Sequence, residues 1–169
     1  MIVKDTMVLI HLAKITLLRK SCEYFTDVKI PTAVHNEIIV GKAKGYADTN
    51  IILELIKEKR VKVSNVRNKV MLKKIAEFNI RGGEAEAVAL YLDENAGFLA
   101  SDDDNVRKKS TLLEIKMIGT PSIILKLRKE KIITKEKFEN SLNELRKIGW
   151  FSNAVIDKVL LEGSKWEMR

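Results

Sequence analysis

Acidic residues are the side chains in this sequence whose number and spacing could build a reactive site. Asp5 follows a short β-branched run, Ile2 to Lys4, and precedes Thr6. Glu37 lies in a helical stretch after Pro31, three residues beyond Val34. Glu84 follows Gly82-Gly83 and opens a helix rich in Ala, and Asp102-Asp103-Asp104 ends the apolar run that starts at Gly97. Hard divalent cations such as Mg²⁺ take carboxylate and water oxygens, usually with few ligands from the protein. Three or four acids at strand ends can hold one or two such ions, which activate water for attack at phosphorus and stabilise charge on the leaving oxygen. Clustered carboxylates repel one another and raise their own pKa values, so a cation is what makes such a cluster tolerable.

Taken singly, each acid also has a plainer explanation. Asp5 suits a helix N-cap, Glu37 suits an exposed helical glutamate, and Glu84 sits in a first helical turn that the macrodipole favours. The Asp102–Asp104 run suits a solvated loop, with at least one carboxylate as ligand or cap. Glu86 points about 200° away from Glu84 on a helix, which makes Glu84 the better ligand. Arg81 beside the glycine pair, and Arg107, Lys108 and Lys109 after the acidic run, could hold backbone phosphates. A solvated helix face explains them as well. His11 reads as a helix residue near the core, and Cys22 as buried and inert. Trp150 and Phe151 read as packing for the C-terminal helices or a dimer interface, with base stacking as the alternative.

The elements that must position these groups alternate. Strand patterns occupy Ile2–Lys4, Val28–Ile30, Val61–Val63, Gly97–Ser101 and the stretch near Ile115–Ile118. Helical spacing runs from Leu9 through Cys22, from Pro31 past Ile39, over 47–58, around Leu72–Ala76, and from Glu84 to Asp93. Further helices are expected over Asn105–Leu113, Ser122–Lys129, 134–147 and 153–161, the last two separated by Gly149-Trp150-Phe151. Strands alternating with helices predict an α/β fold with a mainly parallel sheet. Ligands bind beyond the carboxyl ends of such strands, where Asp5 and Asp102 would both project.

Composition narrows the class. A chain of 169 residues suffices for one domain with a proper core and is short for two. With 46% hydrophobic and 32% charged residues it reads as soluble and globular, and 8 Gly with 2 Pro leave little room for disordered linkers or repeats. The formal charge of +8 favours a polyanionic partner. Lys-Glu richness also serves stability in proteins from hot environments. One cysteine excludes an internal disulfide and a Cys-based zinc cluster, and two isolated histidines do not make a His-rich metal site. No apolar run reaches the roughly 18–20 residues that span a bilayer, and the N-terminus enters a strand pattern at once, without a signal-peptide pattern. The expected setting is the cytoplasm, without a membrane.

Four segments together resemble the PIN-domain nucleases, in particular the archaeal and bacterial subgroup related to VapC-type toxins. They are Asp5-Thr6-x-Val8-Leu9-Ile10-His11-Leu12-Ala13-Lys14, Ile30-Pro31-x-x-Val34-x-x-Glu37, Gly83-Glu84-Ala85-Glu86-Ala87-Val88-Ala89-Leu90, and Leu99-x-Ser101-Asp102-Asp103-x-x-Val106-Arg107. The resemblance covers about residues 1–130 as a catalytic domain, with 131–169 similar to a C-terminal helical extension packed on it. It implies a three-layer α/β/α fold and a metal-dependent endoribonuclease using Mg²⁺ or Mn²⁺. Asp5, Glu37, Glu84 and Asp102 then take the catalytic and metal-binding positions, with Asp103 sharing the last metal role. Thr6, Arg81, Arg107 and Lys108 are the residues expected to bind substrate. Met7 departs from the commoner small or polar residue, and Glu84 stands where many toxin nucleases have Asp. The implied partners are RNA, a second copy in a homodimer, and an antitoxin protein as a candidate inhibitor. The alternative is a non-catalytic PIN-like RNA-binding protein, which binding of Mn²⁺ would argue against.

Overall fold

The computed structural model describes residues 1–166, so the last three residues of the expected C-terminal extension, 167–169, lie outside the described residues. In chain order the elements are β1 (Ile2–Lys4), α1 (Thr6–Lys14), α2 (Leu18–Tyr24), β2 (Val28–Pro31), α3 (Thr32–Ala43), α4 (Asp48–Lys57), β3 (Val61–Ser64) and α5 (Lys69–Glu77). They continue with α6 (Gly82–Asp93), β4 (Phe98–Ala100), α7 (Asp104–Lys109), β5 (Met117–Ile118), α8 (Thr120–Lys129), α9 (Lys135–Ile148) and α10 (Asn153–Lys165). The helical spacing from Leu9 to Cys22 is broken into two helices. Thr16, with φ of 59°, turns the chain between α1 and α2. The basic helix after the acidic run also stops sooner than its pattern suggested, at Lys109.

The five strands are all parallel, in the order β3-β2-β1-β4-β5. The chain winds outward from β1 through β2 to β3, then returns to β4 on the other side of β1. The seam between β1 and β4 is therefore the topological switch point, where an open parallel sheet leaves a crevice at its carboxyl ends. Lys4 pairs with Ala100 in this seam, and the Asp5 amide donates to the Ala100 carbonyl at 3.0 Å. Asp5 and Ser101-Asp102 thus leave the sheet side by side.

Period-two alternation divides the core into two layers. Ile2, Val28, Ile30, Ala100 and Ile118 face a large apolar cluster built with α1, α2, α4, α8, α9 and α10. Val3 and Leu99 face the opposite cluster, built mainly from α5, α6 and the start of α7. Helices α9 and α10 contribute Phe138, Leu142, Leu145, Ile156 and Val159 to the first cluster, so they share its core. Gly163 permits this packing, because a Cβ there would lie 2.3 Å from Phe138 Cζ. Burying a side chain such as Leu142 or Ile156 stabilises the fold by about 1.5–3 kcal/mol.

Lys4 is the exception to an apolar strand. Its ammonium is fully buried, donates to Ser21 Oγ of α2, and lies 5.5 Å from the Phe25 ring centroid. Burial pulls its pKa down to about 8. Among the described residues no helix is long and apolar enough to cross a membrane.

Candidate active site

The acids arrive at the switch point from four elements. Asp5 is the N-cap of α1: its Oδ1 accepts from the Val8 amide at 2.9 Å, and the carboxyl also bonds the Ser101 side chain. Capping and proximity to β4 hold it in place, and it is only 3% exposed. Burial pushes its pKa up to about 7, and the nearby charges of Asp102 and Glu84 push in the same direction, against the hydrogen bonds from Ser101 and Val8. Glu84 stands in the first turn of α6, half buried. Burial raises its pKa as well, followed by the charges of Glu37 and Asp103. Gly82, with φ of +61°, makes the turn that starts α6, and both the Glu84 and Glu37 carboxylates lie within 4 Å of the space a side chain there would fill.

Glu37 projects from α3 and is held by two donors. The Thr6 hydroxyl donates to its Oε2, and the Gly83 amide donates to Oε1 at 3.2 Å. Thr6 therefore orients an acid directly. A Cβ on Gly83 would come within 2.6 Å of Glu37 Oε1, so the absence of a side chain admits the carboxylate to the start of α6. Glu86 has a different task. It does point away from Glu84, and it reaches α3, where its Oε2 accepts from the Ala33 amide at 2.9 Å. That helix has Pro31 at its N-cap and no side-chain cap of its own, so Glu86 satisfies one of its free amides. One turn of α6 thus supplies an acid to the crevice and a tether for the helix that carries Glu37.

Asp102 and Asp103 divide the end of β4 between them. The Asp102 carboxylate turns inward and has no exposed surface. Its Oδ2 accepts from His11 Nδ1 at 2.7 Å and from Thr120 Oγ1 at 2.5 Å, while Oδ1 accepts from the Thr120 amide at 2.7 Å. Asp103 is only partly buried. It caps α7 by accepting from the Val106 amide at 2.7 Å, and its charge acts on Glu84. Asp5 feels the charges of Asp102 and Glu84, and Glu84 those of Glu37 and Asp103, while Asp102 is also bonded to the body of the protein through His11 and Thr120.

His11 and Thr120 are the partners that sequence reading missed in this role. Gly119-Thr120-Pro121 opening a helix after β5 was the available signal, since β5 pairs with β4 and sets Thr120 beside Asp102. His11 is 1% exposed, lies between the rings of Trp150 and Phe151 at 5.6 and 5.3 Å, and leaves Nε2 without a hydrogen-bond partner. The Trp150 indole N–H donates to the Asp102 carbonyl at 3.1 Å, which fastens the α9–α10 turn to the end of β4.

Among the expected substrate-binding cations, Arg81 is exposed at the N-cap of α6, and Arg107 and Lys108 are exposed on α7. Lys109 turns back to the Phe78 carbonyl. Among the described residues, no three acidic, histidine or cysteine side chains converge closely enough to ligate one ion as placed. The donor set nevertheless fits a hard cation in kind. It is all carboxylate, and the charges acting on Asp5 and Glu84 are other carboxylates.

A family model described as a PIN domain matches residues 1–164. No match was found among the curated proteins or the solved structures. Because the matched span takes in all five strands, the four acid-bearing segments and nearly all of α10, the chain belongs to the PIN-domain family.

Proposed function

We propose that the chain is a metal-dependent endoribonuclease in which Asp5, Glu37, Glu84 and Asp103 hold Mg²⁺ or Mn²⁺ at the switch point. The observation that carries this reading is the Asp5 carboxyl, buried at the end of β1 with its pKa raised to about 7 and with Asp102 and Glu84 as its charged neighbours. A carboxyl in that setting is poorly solvated as an anion, and a divalent cation is the partner that its surroundings lack. Bound there, the ion supplies an activated water and stabilises charge on the departing oxygen of a phosphodiester.

The chain's own residues carry the remaining tasks. Thr6 and the Gly83 amide orient Glu37. Asp102, held by His11 and Thr120, acts as a positioning residue that fixes the end of β4 and therefore Asp103. Arg81, at the start of the helix that carries Glu84, and Arg107 and Lys108 on α7 are exposed cations and suit the phosphates of an RNA strand. A role as the toxin of a toxin–antitoxin pair, acting as a homodimer in the cytoplasm, follows from the resemblance to the VapC-related subgroup and extends the same proposal.

The test is calorimetric titration with Mn²⁺ beside cleavage of a single-stranded RNA panel with Mg²⁺, Mn²⁺ or chelator. Saturable Mn²⁺ binding and chelator-sensitive cleavage are expected. Absence of both would sink the nuclease reading, and RNA binding without either would favour a non-catalytic module.

A further inference from the structure

A second hollow shares Asp102 and Asp104 with the acidic end of β4. It lies beyond the Asp102–Asp104 run, between α7, the start of α8 and the turn joining α9 to α10, and has a volume of about 440 Å³. That is within the size range of small-molecule clefts, roughly 300–1,000 Å³. Arg107, Ser122, Trp150 and Ser152 line it together with the carboxylates Asp102 and Asp104, so one cation, two acids, two hydroxyl side chains and the Trp150 ring share one concavity.

Trp150 is built as a platform. Half of it is exposed (51%), although a tryptophan packed only for stability would be expected to bury most of its surface. Its N–H is held by the Asp102 carbonyl, and it lies against the buried His11 ring, which fixes its tilt. Gly149, with φ of 78°, ends α9 immediately before it and sets the direction of the turn. The Arg107 guanidinium lines the same cleft. A methyl group at Gly119 would lie 3.1 Å from both Arg107 Nη2 and Asp102 Oδ1, so the glycine leaves that guanidinium room beside the end of β4. Its carboxylate neighbour Asp104 is 4.0 Å away and 87% exposed, a pair that stabilises little and leaves the cation available.

We propose that this cleft is a nucleotide subsite at the acidic end of β4, in which one base of single-stranded RNA stacks on Trp150 and an adjoining phosphate lies against Arg107. The inference rests on the RNA-cleaving reading for the placement of the scissile bond, and the cleft itself supplies the chemistry. Stacking accepts any base and needs a fixed exposed ring, and a nearby guanidinium suits the backbone. A duplex does not offer an unstacked base, so single strands or loops are the matching substrate.

The experiment places one abasic residue at each position of a defined single-stranded RNA in turn and measures cleavage by wild-type, Trp150→Leu and Trp150→Phe proteins. In wild type, an abasic residue at one position near the cut should raise KM about tenfold, with a smaller change in kcat. Trp150→Leu should raise KM on intact RNA by a similar factor and lose its response to that position, whereas Trp150→Phe should keep the response. Arg107→Ala should weaken binding and lower the salt slope by about one. An unaltered positional response in Trp150→Leu would overturn the subsite. If wild type cleaves no RNA, Trp150 fluorescence in a Trp166→Phe, Asp5→Asn protein separates the two ideas. Quenching by intact RNA and not by the abasic strand keeps the subsite while the nuclease reading fails. RNA that binds without quenching, or does not bind, overturns the subsite.

Discussion

Asp5 and Asp102 leave neighbouring parallel strands at the same edge of the sheet, and both are almost fully buried, yet their hydrogen-bonding surroundings differ. Asp5 has two modest hydrogen bonds and sits among carboxylates, so burial and its neighbours disfavour its charge. Asp102 has three donors aimed at its two oxygens and no exposed surface. Equal burial therefore comes with unequal hydrogen bonding. On the proposed reading, an acid whose hydrogen-bonding capacity is filled by the protein serves the scaffold, and one among like charges takes the cation.

The strongest way to break this comparison is Asp5→Asn. If Asp5 is a metal ligand, metal-dependent RNA cleavage should fall by more than the roughly 100-fold typical of losing a second-layer partner of a metal site, while thermal melting shows an intact fold. Cleavage at the wild-type rate would remove Asp5 from the site.

The same variant tests the electrostatics without any substrate. The folded pKa of Asp5 is raised from 3.8 to about 7. Stability attached to its protonated form is therefore fully present below 3.8 and is lost as pH rises through about 7. In metal-free protein, denaturant unfolding of wild type should weaken relative to Asp5→Asn by on the order of 4 kcal/mol between about pH 4 and pH 8. A constant difference between the two across that window would show that Asp5 is not destabilised as an anion.

Asp102→Asn should behave in the opposite way. It turns an amide N–H₂ toward donors that need an acceptor, at a cost of about 3 kcal/mol in denaturant unfolding at neutral pH. Loss of cleavage with unchanged stability would instead make Asp102 a ligand. Mn²⁺ sharpens the contrast. At a hundred times its Kd it should stabilise wild type by about 2.7 kcal/mol, Asp102→Asn by a similar amount and Asp5→Asn by much less, as read from melting shifts. The smallest effect belongs to Glu86→Ala, which frees the Ala33 amide and should cost about 1 kcal/mol. A crystal structure of that variant with α3 undisturbed would show that the tether is dispensable for placing Glu37.

Much of this was legible in local pattern, because the signals were local. Strand runs of two kinds of face, Pro31 before a helix and Gly82-Gly83 before another are each dictated within a few residues. So the α/β alternation, the parallel sheet and the arrival of Asp5 and the Asp102 run at one edge could be read from the chain. Thr16 was harder, since a β-branched residue at positive φ is a break that spacing does not announce. The different hydrogen bonding of Asp102 and Asp103 was out of reach for a different reason. It depends on Thr120, placed by β4–β5 pairing, and on His11, 91 residues away in the chain. Adjacent acids at the end of a strand look alike until their distant partners are known. Glu86 shows the same limit: helical geometry gives its direction, and only the packing of α3 gives its destination.

The hydrogen bond from Trp150 to the Asp102 carbonyl has a consequence in time as well as in space. Synthesis runs from the N-terminus, so Asp5 and Glu37 emerge before the turn that fastens the end of β4. A nascent chain released only as far as α8 would carry every acid of the crevice but leave His11 uncovered and the end of β4 untied. The end of β4 is thereby tied down only after the α9–α10 turn has emerged, later than every acid of the crevice.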